Sequence, residues 1–198
     1  KQIIESAKIQ SDVLLLNILP AEIADELKQF GKSYARKHDQ VSVLFADIKS
    51  FTSIEEKLTP VKLVTQLDEV FGAFDNIIAK YGMEKIKTIG DAYMCASGLP
   101  LADNENAIKS VKAALDMQEF IKEFGAGNRI QNLPVFEIRI GIHTGPLVAG
   151  VVGLMKFAYD IWGDAVNLAA QMEQHSEVGK VNISGETYSL IKDTFNCT

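Results

Sequence analysis

Two aspartates and a lysine stand where turns of the chain could hold them together. Asp47 ends the apolar run "VSVLFADIKSFT", and Asp91 follows Gly90 in "EKIKTIGDAYMCASG", four residues after Lys87. Paired carboxylates can seat Mg²⁺, which takes oxygen ligands, retains waters and leaves positions for phosphate oxygens. Each aspartate alone also reads as an ordinary turn residue, because Asp favours such turns for its own backbone hydrogen bonding. The pair is better evidence for a site than either member. His143, in "GIHTG", reads as a packed strand-end histidine rather than as a base.

For the two carboxylates to meet, one strand must end at Asp47 and a hairpin must turn before Asp91. Val41 to Ala46 is β-branched and apolar, as a buried strand requires, and Glu84 to Lys87 with Ala92 to Ser97 forms the hairpin. Pro60 fits the first position of a helix that carries Val61, Val64, Leu67, Phe71, Phe74 and Ile78 at helical spacing as far as Gly82. A second amphipathic helix through Ala107, Val111, Ala114, Leu115 and Phe120 is expected to stop near Gly125 and Gly127, leaving "GAGNRIQNLP" as a loop. "VFEIRIGIHTG" alternates as a half-buried strand, and "PLVAGVVG" reads as another. An arm or strand "KFAYDIWGD", a helix "DAVNLAAQMEQHS", a short strand "KVNIS" and a helix capped by Ser184 complete the order. Adjacent strands around Gly90 leave no room for a parallel crossover. The expected class is α+β, a mixed or antiparallel ferredoxin-like (palm-like) sheet layered with helices.

At the start of the chain Ile4, Ala7, Leu14, Ile18 and Ala21 recur at three-four spacing, broken by Ser11, in a helix that ends before Pro20. It either packs on its own domain or ends a parallel coiled coil that brings an upstream signal into a dimer. A further helix follows Pro20 and stops near Gly31.

The 198 residues, 47% hydrophobic and 23% charged, suit one globular domain. A net charge of −6 argues against a nucleic-acid polymer as partner, since phosphate neutralisation needs clustered Lys and Arg. Cys95 and Cys197 form neither a disulfide framework nor a metal-ligand spacing, which fits a reducing cytoplasm. No run is long enough to span a bilayer, so no membrane contact is expected from this segment. The start at Lys1 suggests an excerpt from a protein with an upstream regulatory domain, which could be membrane-anchored.

"LFADIKSFT", "KIKTIGDAYM", "IRIGIHTGPLVAGVVG" and "YDIWGDAVNLAAQME", in that order and at these separations, resemble the catalytic domain of class III nucleotidyl cyclases of the adenylate cyclase type. The likeness runs from "LPAEIADEL" almost to the last residue. It implies that Asp47 and Asp91, with the carbonyl of Ile48, hold two Mg²⁺ or Mn²⁺ ions. It implies that Lys87 and Asp160 read the purine, the lysine donating to a ring nitrogen and the carboxylate accepting from the exocyclic amine; guanine presents the opposite pattern, so ATP is favoured. Backbone N–H groups at Phe51 and Thr52 and the side chain of Arg139 would meet the phosphates, and Asn167 would position the ribose. In that family the metal aspartates come from one domain and the purine pair from another. A homodimer would then form two equivalent sites that turn ATP into cyclic AMP and pyrophosphate.

Two positions depart from the pattern. Gln171 stands where active relatives place an arginine that stabilises charge on the α-phosphate; a glutamine donates but carries no charge. The chain also ends at Thr198, before the terminal strands that bring a lysine to the triphosphate. The expectation is a two-metal adenylate cyclase domain over residues 20–198 behind a signalling helix over 1–19. The alternative is a catalytically impaired nucleotide-binding or dimerisation module. A palm-like polymerase or diguanylate cyclase fits less well, since neither "GGDEF"-type residues nor a basic template groove is present.

Overall fold

The computed structural model describes residues 2–153 and 156–198. In chain order the elements are α1 (Gln2–Leu16), α2 (Ala21–Phe30), β1 (Arg36–Ile48), α3 (Phe51–Glu55), α4 (Pro60–Lys80), β2 (Glu84–Ile89), β3 (Ala92–Ser97), α5 (Asn106–Ile130), β4 (Ile138–Val151), β5 (Tyr159–Trp162), α6 (Asp164–Gln174), β6 (Val181–Ile183) and α7 (Gly185–Ile191). The sheet runs β2-β3-β1-β4-β5, antiparallel throughout, with β6 added parallel to the first half of β4. The fold is α+β with a mixed sheet, and its β2-β3-β1-β4 centre has the ferredoxin-like strand order.

Strand alternation divides the core. Leu44, Ala46, Ile48, Tyr93, Cys95, Ile140 and Ile142 point to the face covered by α4, α5 and α7, with Phe74, Met117 and Ile191 packed on them. Val43, Phe45, Met94, Leu147 and Ala149 point to the other face, covered by α2 through Ile23 and Ala24 and by α6 through Ala165 and Ala169. Local signals hold where expected. Pro60 opens α4 behind Thr59, whose side chain accepts from the Lys62 N–H, and the Ser184 hydroxyl accepts from the Thr187 N–H to cap α7. Gly31 ends α2 in the left-handed conformation at φ 68°.

Two expectations are corrected. Gly125 and Gly127 do not stop α5, which continues to Ile130. Gly125 serves close packing: a Cβ there would lie 2.9 Å from Val135 Cγ1. The second correction concerns "IRIGIHTG" and "PLVAGV", which form one strand, β4, rather than two. Pro146 is tolerated because it lies opposite a bulge in β1 between His38 and Val41, where no ladder hydrogen bond is required of it.

On α1, Ile9, Val13, Leu14 and Leu16 are at least half exposed, and Asp12 pairs with Lys28 of α2 at 2.8 Å. Ile4 and Ala7, the first two heptad positions, fall outside the residues whose side chains are described. Leu19, just beyond α1, is buried in the core beneath α2.

Candidate active site

Asp47 ends the buried run of β1, and its register partners are Arg139 on β4 and Ala92 on β3, so Asp91 stands beside it at the hairpin turn. Arg139 Nη2 donates to Asp47 Oδ2 at 3.1 Å and lies 2.8 Å from Glu173 Oε1. Burial pushes the Asp91 carboxyl above its ordinary range, and repulsion from Asp47 and Glu55 adds to this. Burial also raises Glu173, with repulsion from Asp47 opposing the attraction of Arg139. Asp47 and Glu173 therefore share the Arg139 guanidinium, while Asp91 stands near enough to feel Asp47 and to repel Glu173; among the described residues no three acids yet converge in metal-ligand geometry. Like charges held this close, with oxygen as their only donor atom, fit a divalent cation of the Mg²⁺ type. Ile48 follows with its side chain buried, and α3 begins at Phe51 behind Ser50, so Phe51 and Thr52 occupy the first turn, where N–H groups lack intrahelical partners.

Glu173 is absent from the residues picked out by sequence. α6 can bring it in because β4 carries no side chain at Gly141, where a Cβ would fall 1.9 Å from the Glu173 nitrogen. A signal was present: Ala165, Ala169 and Glu173 recur every four residues, and a carboxylate closing an apolar stripe needs a partner in the core.

Lys87 and Asp160 meet separately. Lys87 Nζ lies 2.5 Å from Asp160 Oδ2, and Asp160 Oδ1 accepts from the Ile161 N–H at 2.9 Å. A bulge in β2 makes this contact possible. Lys85 and Lys87 would share a face in a regular strand, but the register shift between them pairs Lys85 with Cys95 and Lys87 with Met94, which point to opposite faces. Lys85 accordingly reaches Asp75 on α4, while Lys87 reaches β5. The helix after β5 places Asn167 and Gln171 on its exposed side, one turn apart and turned away from Glu173.

Among the described residues no hydrogen bond or ion pair joins the Asp47 cluster to the Lys87 pair or to Asn167 and Gln171. A groove of about 550 Å³ between α5 and residues 135–138 contains none of these side chains. His143 is packed, as expected, but inside β4 rather than at a strand end. It is 4% exposed, its Nδ1 lies 2.8 Å from Ser184 Oγ, and burial lowers its pKa.

The chain thus combines a ferredoxin-like sheet, two acids at the β1 end and the β2–β3 turn, and a lysine–aspartate pair set apart from them, an arrangement in keeping with a nucleotidyl cyclase catalytic domain. Residues 33–198 match the family described as the adenylate and guanylate cyclase catalytic domain, and the chain belongs to that family. It is 41% identical over 196 residues to an adenylate cyclase of Mycobacterium bovis, covering 98% of this chain and 43% of that protein. The chain thus spans less than half the length of that curated relative. Among solved structures it resembles the adenylyl cyclase CyaB from P. aeruginosa, at 34% identity and TM-score 0.79 over 83% of this chain and 86% of that one. It equally resembles the catalytic core of a rhodopsin-guanylyl cyclase with converted specificity in complex with ATPalphaS, at 36% identity and TM-score 0.77 over 83% and 87%.

Proposed function

We propose that the chain is an adenylate cyclase domain that converts ATP into 3′,5′-cyclic AMP and pyrophosphate at sites shared between two copies. The observation that carries this reading is the separation of the two groups on one chain: acids with Arg139 in one place, Lys87 with Asp160 in another. Exposed apolar side chains beside the second group, Ile89, Trp162 and Leu168, support a partner surface there.

In this reading Lys87 donates to an adenine ring nitrogen, Asp160 accepts from the exocyclic amine, and each gives up its bond to the other to do so. Asn167 orients the ribose. Phe51 and Thr52 N–H groups and the Arg139 guanidinium hold phosphate oxygens of a nucleotide whose base lies on the other copy. The ribose 3′-oxygen bonds to the α-phosphorus, the bond from that phosphorus to the bridging oxygen breaks, pyrophosphate leaves, and the hydroxyl proton passes to solvent. Mg²⁺ or Mn²⁺ held by Asp47, Asp91 and the Ile48 carbonyl would lower the pKa of the 3′-hydroxyl and neutralise the phosphates.

A second reading, a nucleotide-binding or dimerisation module with little turnover, is favoured by Gln171, whose amide offers no positive charge. The deciding experiment is a product assay with Mg²⁺ or Mn²⁺ and either ATP or GTP. Cyclic AMP from ATP is the expected result; nucleotide binding without cyclic product favours the second reading. The relatives that span the chain are longer than it, so an upstream regulatory domain, the α1 signalling role and a cytoplasmic setting belong to this proposal too. Among the described residues no helix is long and apolar enough to cross a membrane.

A further inference from the structure

Arg139 is shared between the last turn of α6 and Asp47 on β1. Glu173 Oε1 lies 2.8 Å from Nη2, and the Gln174 carbonyl accepts from Nη1 at 3.4 Å, where the helix C-terminus adds partial negative charge. Nε is buried without a hydrogen-bond partner, and so is Glu173 Oε1, so its contact with Nη2 is an ion pair by proximity rather than an aligned hydrogen bond. Among the described residues the other anion on the guanidinium is Asp47, at 3.1 Å. A guanidinium offered two carboxylates divides itself between them, and one of these two is wanted for a cation.

We propose that Glu173 is a positioning residue that competes with Asp47 for Arg139, weakening the guanidinium's hold on Asp47 so that a metal can displace it and the guanidinium can turn to the triphosphate. The role rests on the cyclase reading above. The placement is built in: the bare backbone at Gly141, two residues along the same face of β4 from Arg139, lets α6 sit directly on the strand at Glu173. With the Glu173 charge removed, Asp47 becomes the sole anion for Arg139. The guanidinium then closes on Asp47, so metal and nucleotide are both held more weakly.

The test is a double-mutant cycle read by binding of a non-reacting ATP analogue in Mn²⁺, using Glu173→Gln, Arg139→Met and the two together. Glu173→Gln is expected to weaken analogue binding about 10-fold and to raise the Mn²⁺ concentration needed for half-saturation by a similar factor. In the Arg139→Met background it should change analogue affinity less than about 2-fold, because there is no guanidinium left to position. Glu173→Asp keeps the charge and is expected to bind within about 3-fold of the unaltered chain, which separates lost positioning from a misfolded helix. Equal losses with and without Arg139 overturn the positioning role while leaving the cyclase reading intact. An unaltered chain that binds no nucleotide overturns both.

Discussion

Asp47 and Arg139 stand directly opposite one another across β1 and β4, and the arginine donates to the aspartate at 3.1 Å. The contact joins a candidate metal ligand to a candidate phosphate ligand in one chain. Neither touches Lys87 or Asp160.

If the site is shared, two defective chains should repair each other. Asp47→Ala and Lys87→Ala proteins are each expected to be nearly inactive. Mixed in equal amounts with subunit exchange, half the dimers become heterodimers with one intact site of two, giving about a quarter of the unaltered activity. Cyclic AMP production after mixing measures this, and no recovery despite demonstrated exchange rules out a shared site.

Base choice should follow the donor and acceptor pattern of Lys87 and Asp160. The unaltered domain is expected to prefer ATP over GTP. Replacing Lys87 with Glu and Asp160 with Cys together should lower the ATP-to-GTP ratio of kcat/KM by at least about 10-fold, one charge-assisted hydrogen bond being worth that or more. Equal or better use of GTP by the unaltered chain would refute the assignment.

Gln171 lies one turn beyond Asn167 on the exposed side of α6. Gln171→Arg should place a charge-assisted donor where negative charge builds up, raising kcat by about 10²-fold with a smaller change in KM. Gln171→Ala should lower kcat only modestly, since a neutral donor is lost. These are steady-state measurements made on the three proteins side by side. A folded, ATP-binding Gln171→Arg protein that is no faster moves the balance to the non-catalytic reading.

The part of the stability that depends on Glu84 should fall as pH rises. Burial, then repulsion from Glu22 on α2, pushes this carboxyl up from 4.5 to about 7. The folded chain therefore keeps its proton where the unfolded chain has released it. The contribution of Glu84 to stability is greatest below pH 4.5, declines towards pH 7, and levels off above it. Glu84→Gln should leave the acid-side Tm unchanged relative to the parent. At pH 8 it should raise Tm by a few degrees, corresponding to about 1–2 kcal/mol once solvent screening is allowed for. Equal effects at pH 4 and pH 8 would contradict the shift.

Element type and order were legible because their causes are local: Pro60 and Ser184 mark helix starts, an apolar β-branched run marks β1, and alternation marks the first half of β4. The misread stretches depend on neighbours distant in sequence. Gly125 looks like a stop until Val135 is seen against it, and Pro146 looks like a break until the β1 bulge is seen opposite. The candidate residues fall into two groups in space, which spacing alone could not have arranged. Glu173 went unnoticed because its partner Arg139 is on another element, reached through the gap at Gly141. The opposite facing of Lys85 and Lys87 was equally hidden, since a bulge leaves no mark in alternating composition.

The strand path begins with β2 and ends with β5, yet these two strands meet, and Lys87 with Asp160 fastens them. The pair is thus a clasp between the two rims of the sheet as well as the candidate reader of the base. Neutralising one member strands the other's charge at the seam, so a single substitution disturbs the rim and the base pocket together. Only replacements that change both members, leaving no orphaned charge, can separate what the clasp does for the sheet from what it does for the nucleotide.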